Sequence, residues 1–128
     1  MNAKIPFSTT KGNHDNDKYS THGFITDIEK NLSSTLSYTR KSPPGIGGGD
    51  VGTDNYWLPI YEGSHRSQSK PSLLLWFFDS RSGKQMLSKG SAQIDDWVDS
   101  SVSGWIKSET EAMQVSCWMI IEIHLCSL

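Results

Sequence analysis

This chain has little net charge, few cysteines and no long apolar run, and each shortage removes a class of protein. Twelve Lys and Arg stand against fourteen Asp and Glu, a net charge of −2, so there is no electrostatic footprint for nucleic acid. No block of like charge reaches the length of an interaction tail. The most apolar stretch, Cys117 to Leu125, is interrupted by Glu122 and His124 and is far too short to span a bilayer. The first residues, Met1-Asn2-Ala3-Lys4-Ile5-Pro6, lack the apolar core of a secretory signal. Cys117 and Cys126 are the only cysteines, which argues against a disulfide framework and fits no zinc spacing. The sequon Asn31-Leu32-Ser33 therefore has no secretory context. These absences point to a cytoplasmic chain with neither nucleic acid nor membrane as partner; its oligomeric state is left open.

What is present is enough for about one domain: 128 residues, of which 35% are apolar. Five Trp, four Tyr and four Phe supply much of the capacity for burial. Residues 4–10 read as a short strand feeding a turn at Gly12. A helix is expected from about Gly23 to Leu36, with Thr21 as its cap. Phe24, Ile25, Ile28, Leu32 and Leu36 recur at three- and four-residue steps and form its apolar face.

Residues 40–53 are rich in Pro and Gly. Gly47, Gly49 and Gly52 make a literal G-x-G-x-x-G, but it follows Pro43-Pro44 and leads into a strand, the wrong context for a dinucleotide site. The segment reads as a surface loop. Residues 55–61 form an expected edge strand, because Pro59 cannot donate to a ladder. Residues 73–78 are apolar throughout and read as a strand buried on both faces. The two can pair as a hairpin with a long connection. A second helix follows a possible cap at Asp99, with Val102, Trp105, Ile106, Glu109 and Met113 on one face. After Gln114 the character changes to an apolar run that reads as a final strand or an aggregation-prone stretch.

The candidate site is Gly12-Asn13-His14-Asp15. Glycine permits a sharp turn, and the next three side chains offer a neutral carbonyl oxygen, an imidazole that titrates near neutrality and a carboxylate. Asp50, Asp54 and Asp79 read as loop and turn carboxylates. The Trp and Phe residues read as core, because no basic groove accompanies them.

Gly12-Asn13-His14-Asp15 after a strand resembles the GNH[DE] motif of the calcineurin-like metallophosphoesterases. The string Ile5-Pro6-Phe7…Gly12-Asn13-His14-Asp15 resembles the purple-acid-phosphatase-like branch, and within it the fungal dosage-dependent cell-cycle regulator phosphatases. Gly49-Asp50, Asn55-Tyr56, Leu74-Leu75-Trp76-Phe77-Phe78-Asp79-Ser80 and the Trp97…Trp105 segment follow that branch's order, so the similarity covers roughly residues 4–114. It implies an α/β (α+β) chain that is an incomplete piece of a four-layer αββα sandwich. It implies hydrolysis of a phosphorylated substrate, a phosphomonoester or phosphoprotein, by water activated on two metal ions (Fe, Mn or Zn). Asn13 matches a metal ligand, and His14 matches the residue that contacts the phosphoryl group and protonates the leaving oxygen. Asp15 is expected to orient His14 or its loop.

Only this third of the family's five motif blocks is present. No Asp-x-His and no Gly-His-x-His occurs, and His22, His65 and His124 match none of the missing blocks. The chain is therefore expected to retain neither the metals nor the activity. Its alternative is a non-catalytic interaction fragment, or a gene-model fragment that is unstable alone. The expected division is a partial phosphoesterase domain over residues 1–114 and a divergent tail over 115–128. Val115-Ser116 is what an in-frame intron donor encodes, so the tail is expected to be read-through and Met1 internal to a longer gene.

Overall fold

The computed structural model describes residues 4–17, 19–61, 70–87, 90–113 and 119–120, without the side chains of 13, 85–87 and 119–120. Its organising unit is the pair of aromatic strands. Strand β1, Tyr56–Ile60, lies antiparallel to β2, Leu73–Phe77, with Tyr56 opposite Phe77 and Leu58 opposite Leu75. Strand β3, Lys84–Leu87, and β4, Gly90–Gln93, form a separate two-stranded antiparallel sheet. A short β5, Met119–Ile120, runs parallel to β2 on the side away from β1. β1 is thus an edge of its sheet, where Pro59 is tolerated. The long connection between β1 and β2 lies largely outside the described residues, as do most of the tail and both cysteines.

β2 departs from the expectation of burial on both faces. Leu74 and Trp76 are fully enclosed, whereas Leu73, Leu75 and Phe77 are half-buried. The enclosed face meets helix α2, Ser101–Met113. Leu74, Trp76, Val102 and Trp105 form the core, flanked by Ile46, Trp57, Phe78, Val98, Ile106 and Met113. Trp105 stands edge-on to Trp76 with ring centroids 5.3 Å apart, a favoured aromatic geometry. The face of α2 expected from its spacing is the face that packs. Asp99 lies two residues ahead of the helix, yet its carboxylate accepts the Ser101 N–H at 3.0 Å.

Helix α1 spans His22–Ser33, and the Thr21 hydroxyl accepts the Phe24 N–H at 3.2 Å as expected of a cap. It is shorter than the expected 23–36 because the chain turns at 34–36, where the Leu36 and Ser37 N–H groups both donate to Ser33 O. Its burial departs from the expectation: of the five apolar positions only Ile25 and Leu36 are half-buried. Phe24, Ile28 and Leu32 are 56%, 42% and 80% exposed, while His22, Gly23 and Thr26 are buried. Residues two apart on a helix are separated by about 200°, so His22 and Thr26 face away from Phe24 and Ile28, and Glu29 continues the stripe of His22 and Thr26. The polar stripe goes inward because each of its members finds a buried partner there.

Residues 4–10 do not make a full strand. Phe7 and Ser37 form one isolated parallel bridge, with Phe7 N–H on Leu36 O and Tyr38 N–H on Phe7 O. The β3–β4 pair had no counterpart in the sequence reading, since its residues carry no clean period-two pattern. Among the described residues no helix is long and apolar enough to cross a membrane. Two helices and small, mainly antiparallel sheets make the chain mixed α+β.

Candidate functional site

The Gly12 loop winds into one turn of 3-10 helix, Asn13–Asn16. Gly12 and Asp15 close it reciprocally: Gly12 N–H donates to Asp15 Oδ2 at 2.8 Å, and Asp15 N–H donates to Gly12 O at 3.0 Å. Asp15 therefore orients the loop rather than His14. The imidazole of His14 is 81% exposed, and its Nδ1 lies 2.7 Å from Asp17 Oδ2. The other Asp17 oxygen accepts the Lys84 N–H of β3 at 2.8 Å, which ties the turn to the small sheet. With Nδ1 donating to Asp17, Nε2 of His14 is the ring atom left to act outward. The Asn13 side chain, the expected metal ligand, lies outside the described residues.

Beneath the turn is a buried polar cluster that the motif alone does not reveal. Asn16 is fully enclosed. Its carbonyl accepts the His22 N–H at 2.8 Å, and its amide donates to Val51 O and Ser82 O. His22, also enclosed, places Nδ1 2.8 Å from both oxygens of Asp79 and Nε2 3.1 Å from Gly12 O. Burial pulls the His22 pKa down, but the hydrogen bond and charge of Asp79, the Gly12 carbonyl and the charge of Asp54 leave it raised overall.

Asp79 and Asp54 lie in loops as expected, but both are buried. Asp79 follows β2 and accepts the N–H groups of Arg81 and Asp54 at 2.8 and 3.1 Å. Asp54 accepts the Thr26 hydroxyl at 2.6 Å and lies 3.7 Å from Lys11 Nζ. Burial raises the Asp54 pKa against the opposing Thr26 bond and Lys11 charge. Asp50, by contrast, is exposed in its loop as expected. One α1 turn further on, Glu29 takes Lys11 at 3.1 Å, Thr9 Oγ1 at 2.6 Å and Ser37. Burial alone would raise its carboxyl; the bonds from Ser37, Thr9, Thr39 and Lys11 reverse this and hold it at about 2.

The glycine loop closes the cluster from outside and makes no phosphate cradle ahead of a helix. A Cβ on Gly47 would collide with the Gly52 carbonyl, and one on Gly52 with that of Gly47. Asn55 joins this loop to both strands: its amide donates to Gly52 O at 3.0 Å and its carbonyl accepts the Asp79 N–H at 3.0 Å. Arg81 and Ser82 hold φ of 62° and 67°, a conformation that costs non-glycine residues on the order of 1 kcal/mol or more. Their N–H groups are spent on Asp79 and on Asp95 O, and the Arg81 guanidinium lies over Trp97 between Asp95 and Asp99.

Among the described residues, no three His, Cys, Asp or Glu side chains gather so as to hold a metal ion. His14 turns to Asp17 and Asp15 turns back to Gly12, so the described side chains do not fit a dinuclear centre. His65 and His124 lie outside the described residues. The sequence reading missed His22, Asp17 and Asn16. The one local signal was Asp17 three residues after His14; His22 and Asp79 are 57 positions apart and meet only through the fold. No protein-family model, no curated protein and no solved structure matches the chain.

Proposed function

We propose that this chain carries one loop of a metallophosphoesterase-type site and is catalytically silent as it stands. The observation that supports this reading is the ordered string Ile5-Pro6-Phe7…Gly12-Asn13-His14-Asp15, ending in a one-turn helix that offers His14 to solvent with Nδ1 held by Asp17. In such a site His14 acts through Nε2: it contacts the phosphoryl group and, when protonated, gives its proton to the departing alkoxide. Asp17 fixes the orientation of the ring through Nδ1. The substrate class is a phosphomonoester, free or on a protein. The metal chemistry of the family needs ligands beyond Asn13, and closed metal sites need several donors in set geometry.

In the proposed four-layer αββα sandwich, the apolar stripe of α1 is the face that a further layer covers. That stripe equally favours a second reading: a non-catalytic fragment that docks a partner through its exposed Phe24, Ile28 and Leu32. The experiment is to purify the chain, add manganese, zinc or iron, and measure hydrolysis of an aryl phosphate beside His14→Ala. No turnover is expected from either. Metal-dependent turnover lost in His14→Ala overturns the silence; no turnover together with a cooperative melt favours the docking fragment. Flanking genomic sequence that encodes an upstream Asp-x-His and a downstream Gly-His-x-His supports the phosphoesterase origin, and a spliced transcript ending at the present codons sinks the separate idea that residues 115–128 are read-through.

A further inference from the structure

We propose that His22 is the positioning residue of the 12–17 loop, acting as an imidazolium whose two ring N–H groups pin the Gly12 carbonyl to the Asp79 carboxylate after β2. The charge state follows from the partners. A carbonyl oxygen only accepts, so Nε2, 3.1 Å from Gly12 O, carries a hydrogen. Asp79 already accepts two backbone N–H groups, from Asp54 and Arg81, which is the pattern of an ionised carboxylate. Nδ1, 2.8 Å from both Asp79 oxygens, therefore carries a hydrogen too. Removal of either proton sets a bare ring-nitrogen lone pair against an oxygen acceptor, a close polar contact with no hydrogen between the two atoms.

The pin is placed where it governs the candidate site. Gly12 O also receives the Asp15 N–H that closes the 3-10 turn, so the same carbonyl anchors the turn that bears Asn13 and His14. Asn16, at the end of that turn, holds the His22 N–H, which makes the attachment two-ended. The charged groups around His22 come from each neighbouring segment. Asp79 after β2 contacts the ring and Asp54 ahead of β1 acts on it by charge; Asp54 in turn lies 3.7 Å from Lys11 Nζ, which Glu29 of α1 holds. Asp54 lies near enough for its charge to favour the imidazolium.

What the loop is for rests on the phosphoesterase reading; how it is held does not. The test uses the whole chain labelled with ¹⁵N-histidine, with amide exchange read in parallel and neither metal nor phosphate present. At pH 7 both His22 ring nitrogens are expected to be protonated. In His22→Gln and Asp79→Asn, exchange of the Asp15 and Asp17 amides is expected to rise about ten- to a hundredfold, the loss of one charged hydrogen bond. Exchange in α2 stays unchanged, which separates a local pin from general loosening. If neither variant folds, the unmodified chain decides: loop exchange, corrected for intrinsic base catalysis, rises as the pH is raised and His22 loses its proton. A His22 with one bare ring nitrogen at pH 7 overturns the proposal. So does loop exchange that ignores the substitutions or the titration. Absence of hydrolysis leaves the pin standing, whereas a freely exchanging loop sinks it even in a chain that hydrolyses phosphate.

Discussion

The two helices are read from the sequence by the same rule and packed by opposite ones. In α2 the apolar stripe of Val102, Trp105 and Ile106 turns inward onto Trp76 and Leu74. In α1 the apolar stripe of Phe24, Ile28 and Leu32 turns outward, and His22, Thr26 and Glu29 turn inward. Both arrangements give their buried side chains neighbours of their own kind, though Trp105 Nε1 in α2 is buried without a hydrogen-bond partner among the described residues. Around α2 the partners are aromatic rings, and burial of each large side chain contributes about 1.5–3 kcal/mol. Around α1 they are Asp79, Asp54, Lys11 and Ser37, and each polar side chain that enters finds a charged or hydroxyl partner. A helix amphipathic by sequence has a face to bury; which face is buried depends on what waits opposite. The α1 side is therefore the polar side of the molecule, and its apolar stripe is surface.

The contrast is most severely tested at the α2 core. Trp76→Ala removes the ring that meets Trp57, Phe78 and Trp105. It is expected to cost about 3–5 kcal/mol in urea unfolding, and a loss under 1 kcal/mol would show that the aromatic layer is not the core. On the polar side, Glu29→Gln keeps the shape and removes the charge that Lys11 and the hydroxyl donors hold. Glu29 has its folded pKa depressed from 4.5 to about 2. Its contribution is therefore present above pH 4.5 and fades as pH falls toward 2. The substitution is expected to cost about 2–3 kcal/mol at pH 7 and progressively less in acid. An equal cost at pH 7 and pH 2.5 would mean that packing, not charge, is what Glu29 supplies. The smallest effect belongs to the outward stripe: Leu32→Ser is expected to change stability by less than about 0.5 kcal/mol. A loss of 2 kcal/mol there would mean that Leu32 is covered in solution, by a second copy or by other parts of a longer protein.

The sequence made parts of this architecture legible because the signals were local. Thr21 capped α1, Pro59 placed β1 at an edge, and β1 and β2 paired across a long polar connection. The α2 face was readable because its neighbours are other apolar runs. The misreadings came where partners were remote. The apolar period of α1 was real, yet it reported the existence of a stripe rather than its direction. Phe7 made a single bridge because Ser37, its partner, sits just past a helix end. Asp54 and Asp79 do sit in loops, but nothing adjacent to them revealed that they would be buried on Thr26 and His22.

By itself, then, the sequence determined that a turn forms at Gly12, that Asn13, His14 and Asp15 ride on it, and that two helices flank aromatic strands. Those features depend on backbone freedom, capping and period, all of which act within a few residues. Only the tertiary structure decided that Asn16, His22 and Asp79 converge beneath the turn. The reason is physical: a hydrogen bond between positions 57 apart depends on how the sheet and α1 pack, and no local pattern encodes that distance.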